Sequence, residues 1–339
     1  LFALSALLVL GMGLLMGFTA FFMFLTGERV QVQQTILFAG FCFVALLLFA
    51  AAFFAFQKAA QNPSADQASS LSVSRWQIVI GILIAAGAIL IGYQIGTIES
   101  VNWLLLPILT IPAVALPLGV LLALGSRGLP MGTRWQTWSV FGLGMTLAPF
   151  LLLILEAVIA IIIFFGVVVY VAAQPELIYE LQALSRQIMI LGPESEDALD
   201  LIAPFLTKPG VMVIALIYIA VIVPAIEEIL KPLGVWLLAG RLDSKAQGFT
   251  LGALSGTAYG FIETISVTGQ AGEWASLLFS RVGTGLLHIT TSALMGAAIV
   301  TAWRERRYLR LLGTYFLAVL LHGLWNMFAM LFTFSTLAE

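Results

Sequence analysis

The sequence predicts an all-α, polytopic integral membrane helix bundle of about nine transmembrane helices, with the N-terminus inside. Three observations carry that prediction. Of 339 residues, 61% are hydrophobic and 9% charged, whereas soluble domains are roughly a quarter charged. Apolar runs of the ~20 residues needed to cross a bilayer recur along the whole chain. The basic residues, finally, sort by loop. Loops holding Lys58 and Arg75, Arg127 and Arg134, Arg241 and Lys245, and Arg304, Arg306, Arg307 and Arg310 alternate with loops holding only Arg29, Arg186 and Lys208. Lys and Arg near span ends concentrate on the cytoplasmic side, so the richer set is cytoplasmic and the C-terminus lies outside. One span more or fewer breaks the alternation.

The same composition excludes other classes. A net charge of −2 gives no bias toward nucleic acid. The single cysteine, Cys42, excludes an intramolecular disulfide, and no CxxC or Cys/His zinc knuckle exists.

The expected spans, in order, are 1–25, 36–57, 77–98, 103–124, 136–172, 211–239, 249–268, 274–303 and 311–334. The first lacks a basic leader and a small-residue cleavage site, so it reads as a retained span. Residues 58–76 are small and polar and read as a flexible cytoplasmic linker. The fifth run is overlong, either one tilted helix or a helix with a reentrant piece. Trp76, Trp103, Trp135 and Trp274 stand at span ends as interface anchors. Between the fifth and sixth spans, Leu177, Ile178, Leu181, Leu184 and Ile188 recur at helical spacing while Glu176, Glu180 and Arg186 lie off that stripe. That pattern predicts an amphipathic helix at the outer surface, with a second short helix after Pro193 and the acidic cluster Glu194, Glu196, Asp197 and Asp200. The segment is a connection resting on the bundle or a substrate gate. The chain divides accordingly into N-terminal helices of unassigned role (1–173), an extracytoplasmic amphipathic segment (174–210) and a C-terminal core (211–339).

Chemistry concentrates in that core. Glu227 and Glu228 stand together in an apolar run, where a charged carboxylate costs a few kcal/mol or more and so faces protein or a wet cavity. Pro224 and Pro232 punctuate their helix and disrupt the bonds to the carbonyls of Ala220 and Glu228. Lys231 lies four residues after Glu227 and three after Glu228, within reach of either. Glu263 occupies the next span beside Tyr259, among the small residues Gly252, Ser255, Gly256 and Gly260, which permit close helix approach. The two histidines of the chain, His288 and His322, fall near the middle of the last two spans. Arg281 precedes His288 by two turns and Asn326 follows His322 by four residues, so each pair shares a helical face. At about 1.5 Å per residue, His322 lies about 17 Å from the inner start of its span and His288 about 21 Å from the outer start of its own. Glu227 and Glu228 lie about 24 to 26 Å from their outer start.

Two hydrolytic chemistries fit. In one, two histidines and a glutamate (His288, His322 and Glu263) hold zinc or another divalent ion while a further glutamate takes a proton from the bound water. In the other, no metal binds: one glutamate activates water and His and Asn donors stabilise the oxyanion. HExxH is absent, so a metal site must assemble between helices. Consecutive helical residues point about 100° apart, so one of Glu227 and Glu228 faces the chemistry while the other serves Lys231 or a neighbouring helix; Glu228 is the expected water activator or ligand. Glu156, alone in the fifth span, is protonated, paired with a donor such as Lys231, or part of a water path.

The order EEILK at 227–231, YGFIE at 259–263, His288 within RVGTGLLHITTSALMG at 281–296, and HGLWN at 322–326 resembles the PrsW family of intramembrane proteases, grouped with CAAX prenyl endopeptidases and bacteriocin-processing enzymes. The wider group has EExxxR, FxxxH, a lone His and HxxxN. Here Lys231 falls one place earlier than the Arg, and Glu263 replaces the second-motif histidine, as in the PrsW branch. The resemblance covers about 211–334. It implies Glu227, Glu228, Glu263, His288, His322 and Asn326 as catalytic residues and a membrane-anchored protein substrate, such as an anti-sigma factor cut at site 1. It also implies a multi-pass protein of a prokaryotic plasma (inner) membrane. Two other classes fit the residues: a proton- or ion-coupled transporter using the Glu/His cluster as a relay, and a non-catalytic receptor or scaffold.

Overall fold

The computed structural model describes residues 1–69, 71–192, 196–268 and 273–337. In chain order the helices are α1 (Phe2–Thr26), α2 (Val32–Ala59), α3 (Arg75–Gly96), α4 (Glu99–Gly125), α5 (Arg134–Met145), α6 (Leu147–Ala172), α7 (Pro175–Leu191), α8 (Glu196–Leu206), α9 (Pro209–Ile217), α10 (Val223–Leu230), α11 (Leu233–Leu238), α12 (Lys245–Val267), α13 (Trp274–Glu305) and α14 (Tyr308–Leu337). A π turn, Tyr218–Ile222, joins α9 to α10. Among the described residues the only extended pairing is the isolated bridge between Ala68 and Thr133. The chain is thus the all-α membrane bundle its composition predicts.

Eight helical stretches among the described residues are long and apolar enough to cross a membrane. The remaining expected span, 249–268, is α12. It is a 23-residue helix, but Gly, Ser and Thr stand where a lipid-facing helix carries Leu and Ile. Its residues are buried without interruption from Thr250 to Phe261, so protein rather than lipid surrounds it.

The chain forms two compact units, one of Leu1–Pro149 with Glu228–Ala318 and the other of Phe150–Glu227 with Val319–Glu339. The core of the first is the α12–α13 pair. A Cβ on Gly252 or Gly256 would overlap the carbonyl oxygens of Ser292 and His288 respectively, so the spacing of four residues gives α12 a groove in which the α13 backbone lies. Such small-residue seams let helices associate where no hydrophobic driving force separates protein from lipid. On α4, Thr110 bonds back to Leu106 O (2.7 Å) and accepts the indole N–H of Trp274 (2.9 Å). Trp274 is therefore not an interface anchor. Its ring lies where a Cβ on Gly92 would be, and that gap on α3 takes the ring into the core. The 58–76 linker is likewise less free than its composition implies. Lys58 pairs with Asp66 (2.7 Å), Ser69 N donates to Gly132 O (2.7 Å) and Arg134 N to Gln67 O (3.0 Å). Small polar residues gave no periodicity from which this backbone pairing could be read.

The overlong fifth run resolves into two helices, α5 and α6, broken at Thr146 (φ −125°, ψ −77°). In the second unit, α7 is the amphipathic helix the sequence predicts: Leu177, Ile178, Leu181, Leu184 and Ile188 are half-buried, and Glu176, Glu180 and Arg186 are exposed. Helix α8 is the short helix expected after it; Pro193 and Glu194 lie outside the described residues. Lys208 reaches back to Glu180 (3.2 Å).

Candidate active site

The break between α10 and α11 follows from Pro232, which has no N–H to continue the helix. Both Val235 N and Trp236 N turn to Pro232 O. Two carbonyls near the break find side-chain donors: Ser255 Oγ on α12 donates to Lys231 O (2.5 Å), and the Trp236 indole donates to Ile229 O (2.9 Å). Lys231 is thereby fixed at the break with its side chain fully buried.

From Lys231 a chain of polar contacts runs through the first unit. Its Nζ lies 2.5 Å from Glu228 Oε1, 3.0 Å from His288 Nδ1 and 5.6 Å from the centre of the Tyr259 ring. His288 Nε2 lies 2.6 Å from Glu263 Oε2, and Arg281 Nη2 lies 2.6 Å from the same oxygen. Arg281 Nε also donates to Thr264 Oγ1 (3.3 Å). Tyr259 stands edge-on to the imidazole, 5.2 Å between ring centres at 90°. An ammonium has three donors and no acceptor, so Nδ1 of His288 accepts from Lys231 and Nε2–H donates to Glu263; the tautomer follows from this accounting. Two carboxylates and two cations alternate around a neutral imidazole, which is how buried charge is tolerated.

In the second unit, Glu227 and His322 form a buried pair, Oε2 to Nδ1 at 3.8 Å. One turn further on α14, Asn326 Nδ2 donates to Ile219 O (3.0 Å) in the π turn, and Gly323 lies against Ala220 O so closely that a Cβ would overlap it. The Tyr218 hydroxyl of the same turn donates to the main-chain oxygen of Glu156 (3.1 Å).

The predicted residues thus fall into two sets. Glu228, Glu263 and His288 share one network with Lys231; Glu227, His322 and Asn326 share the other set with the π turn. Glu227 and Glu228 are consecutive on α10, which passes from one unit to the other between them. The sequence put Lys231 within reach of either glutamate but favoured Glu228 for the chemistry, which leaves Glu227 as the one to serve Lys231 or a neighbouring helix; the structure instead pairs Lys231 with Glu228. Sequence reasoning missed the Arg281–Glu263 pair, although Arg281 had been placed on the face of His288. It also missed Gly323, whose position beside the carbonyl that Pro224 leaves without a helical donor was the available signal.

Buried carboxylate–histidine pairs in a multi-pass membrane protein, Glu227 with His322 and Glu263 with His288, are compatible with an intramembrane hydrolase and with an ion-coupled carrier. Residues 132–338, 207 of the 339, match the model of the PrsW family of intramembrane metalloproteases, and the chain belongs to that family. It is accordingly a peptidase embedded in a bilayer and acting on membrane protein substrates, which sets aside the transporter and receptor readings. The match begins at residue 132, well before the four motifs, and takes in α5, α6 with Glu156, and helices α7 and α8. No curated protein and no solved structure matches the chain.

Proposed function

We propose that the protein cleaves a peptide bond of a membrane-anchored regulator, such as an anti-sigma factor at site 1, in a prokaryotic plasma membrane. The observation that carries this reading is the buried Glu227–His322 pair at 3.8 Å. A carboxylate beside an imidazole, both withdrawn from bulk water, is suited to take a proton from water and return it to the leaving amine. With Lys231 neutralising Glu228 through the ion pair on its far side, Glu227 is the better candidate for the base, in place of the Glu228 expected from sequence.

The donor set accommodates a divalent ion. Zinc binds histidine nitrogen and carboxylate oxygen at about 2.0–2.2 Å, so two donors 3.8 Å apart reach one ion with little movement. When bound, such an ion lowers the pKa of its water and polarises the scissile carbonyl. His288 is proposed as a further donor on the strength of its motif. Its Nε2–H is already oriented by Glu263, the carboxylate–histidine arrangement that sets a ligand's tautomer; Nδ1, which accepts from Lys231, would coordinate only on giving up that bond, Lys231 then keeping Glu228 alone. Glu263, its Oε2 shared by Arg281 and His288, then orients rather than ligates. The same reading places the chain in the wider CAAX protease group, whose pattern of glutamates and histidines its motifs resemble.

Cleavage of a membrane-anchored substrate by the reconstituted protein tests the proposal. Glu227→Gln and His322→Ala are each expected to lower the rate by roughly 10²- to 10⁴-fold, the range for a lost general acid–base group. Unaltered cleavage in both variants refutes it.

A further inference from the structure

A carboxamide four residues after a catalytic histidine is open to two roles, donor to a reacting oxyanion or brace for the scaffold. We propose that Asn326 is a positioning residue: it holds the π turn at Tyr218–Ile222, and that turn determines which residue of α10 faces His322. The inference rests on the assignment of Glu227 as the base or ligand.

The backbone shows why a brace is needed. Val223 N donates to Tyr218 O, five residues back, so it does not serve Ile219 O, its partner in an α-helix. The next residue is Pro224 and has no N–H to offer. Ile219 O is therefore passed over by both helical donors, and the Asn326 amide reaches it at 3.0 Å. The absence of a side chain at Gly323, which would overlap Ala220 O, lets α14 come close enough for that bond. Two residues of one α14 turn thus engage consecutive carbonyls of the π turn, and His322, immediately before Gly323, is carried to Glu227.

The geometric consequence is specific. A π turn encloses one residue more than an α turn, so every residue after it lags by one position, about 100° around the axis. In an uninterrupted α-helix Ile226 would take the direction Glu227 has here, and Glu227 would turn away from His322. The turn, the proline that favours it, and the asparagine that satisfies its carbonyl act together as a register device for the glutamate. π turns inside α-helices often mark functional sites; here the function is the choice of side chain.

Cross-linking reads the register without catalysis. In full-length reconstituted protein with Cys42→Ser, two cysteine pairs are compared, Glu227→Cys with His322→Cys and Ile226→Cys with His322→Cys, using a short thiol-reactive reagent. The 227 pair is expected to react faster. Asn326→Ala leaves Ile219 O without its donor and should lower the 227:226 ratio roughly ten- to a hundredfold, the equilibrium shift that accompanies a lost buried hydrogen bond. Pro224→Ala, which returns a donor for Ala220 O, should move the ratio the same way, and adding Asn326→Ala to it should change little more. A ratio unmoved by Asn326→Ala, or effects of the two substitutions that simply multiply, overturns the proposal. Full cleavage by Glu227→Gln would instead remove the assignment of the base while leaving a shifted cross-link ratio standing.

Discussion

Replacing Lys231 by Met removes the cation at the centre of the first unit's polar network. The ammonium lies 2.5 Å from Glu228 Oε1 and 3.0 Å from His288 Nδ1, and the Lys231 and Glu228 side chains have no exposed area. Met fills a similar volume, so the change is chiefly electrostatic: Glu228 is left as an uncompensated buried carboxylate and His288 loses the donor to Nδ1. Breaking a buried pair in this way costs about 3–5 kcal/mol, whereas replacing both partners by apolar residues is often neutral or stabilising. Lys231→Met should therefore be strongly destabilised in a reversible detergent-unfolding titration, and Lys231→Met with Glu228→Leu should recover at least half of the loss. The double-mutant cycle isolates the interaction, since the two side chains touch directly. A single variant within about 1 kcal/mol of the parent, or a double variant as unstable as the single, would refute the claim that this pair is a mutually dependent buried ion pair.

Other consequences are open to simpler assays. Glu263→Gln and Arg281→Met loosen the support of His288 and should each lower cleavage by roughly 10–100-fold, the usual effect of losing a partner that orients a ligand; equal rates would show that His288 needs no such support. Gly252→Val should prevent α13 from seating on α12, a close-packing clash costing about 1–3 kcal/mol or more, visible as a lowered unfolding midpoint and faster limited proteolysis. Trp274→Phe keeps the ring in its slot against Gly92 but loses the bond to Thr110, and should cost only about 1 kcal/mol. Purified protein should bind about one divalent ion per chain by elemental analysis, and lose activity and ion together on chelation; full activity without bound metal would restore the glutamate-only chemistry.

Much of this was legible in the residues. Glu227, Glu228, Glu263, His288 and His322 stood out because ionisable groups at bilayer depth are costly and rarely incidental. The stripe from Leu177 to Ile188 foretold the amphipathic helix α7. What stayed hidden depends on tertiary contacts. Lys231 reaches a carboxylate three or four residues back equally well, and only its contact with His288 and the break at Pro232 decide for Glu228. Trp274 looks like any span-end tryptophan until the slot at Gly92 is known. Pro224 announced a disturbed helix, but whether the helix would kink or take up a π turn depended on Gly323 and Asn326, 99 and 102 residues away in the chain. The 58–76 linker is pinned by main-chain bonds to residues 132–134, which no side-chain pattern encodes.

The central claim is that Glu227, paired with His322, performs peptide hydrolysis within the membrane. The most direct measurement is cleavage of a single-span substrate in proteoliposomes by the parent protein, Glu227→Gln and Glu228→Gln, each normalised to its folded fraction. The account predicts a loss of at least roughly a hundredfold for Glu227→Gln, and for Glu228→Gln a smaller loss accompanied by lowered stability. The reverse order, with Glu227→Gln active and Glu228→Gln inert but stable, would contradict it.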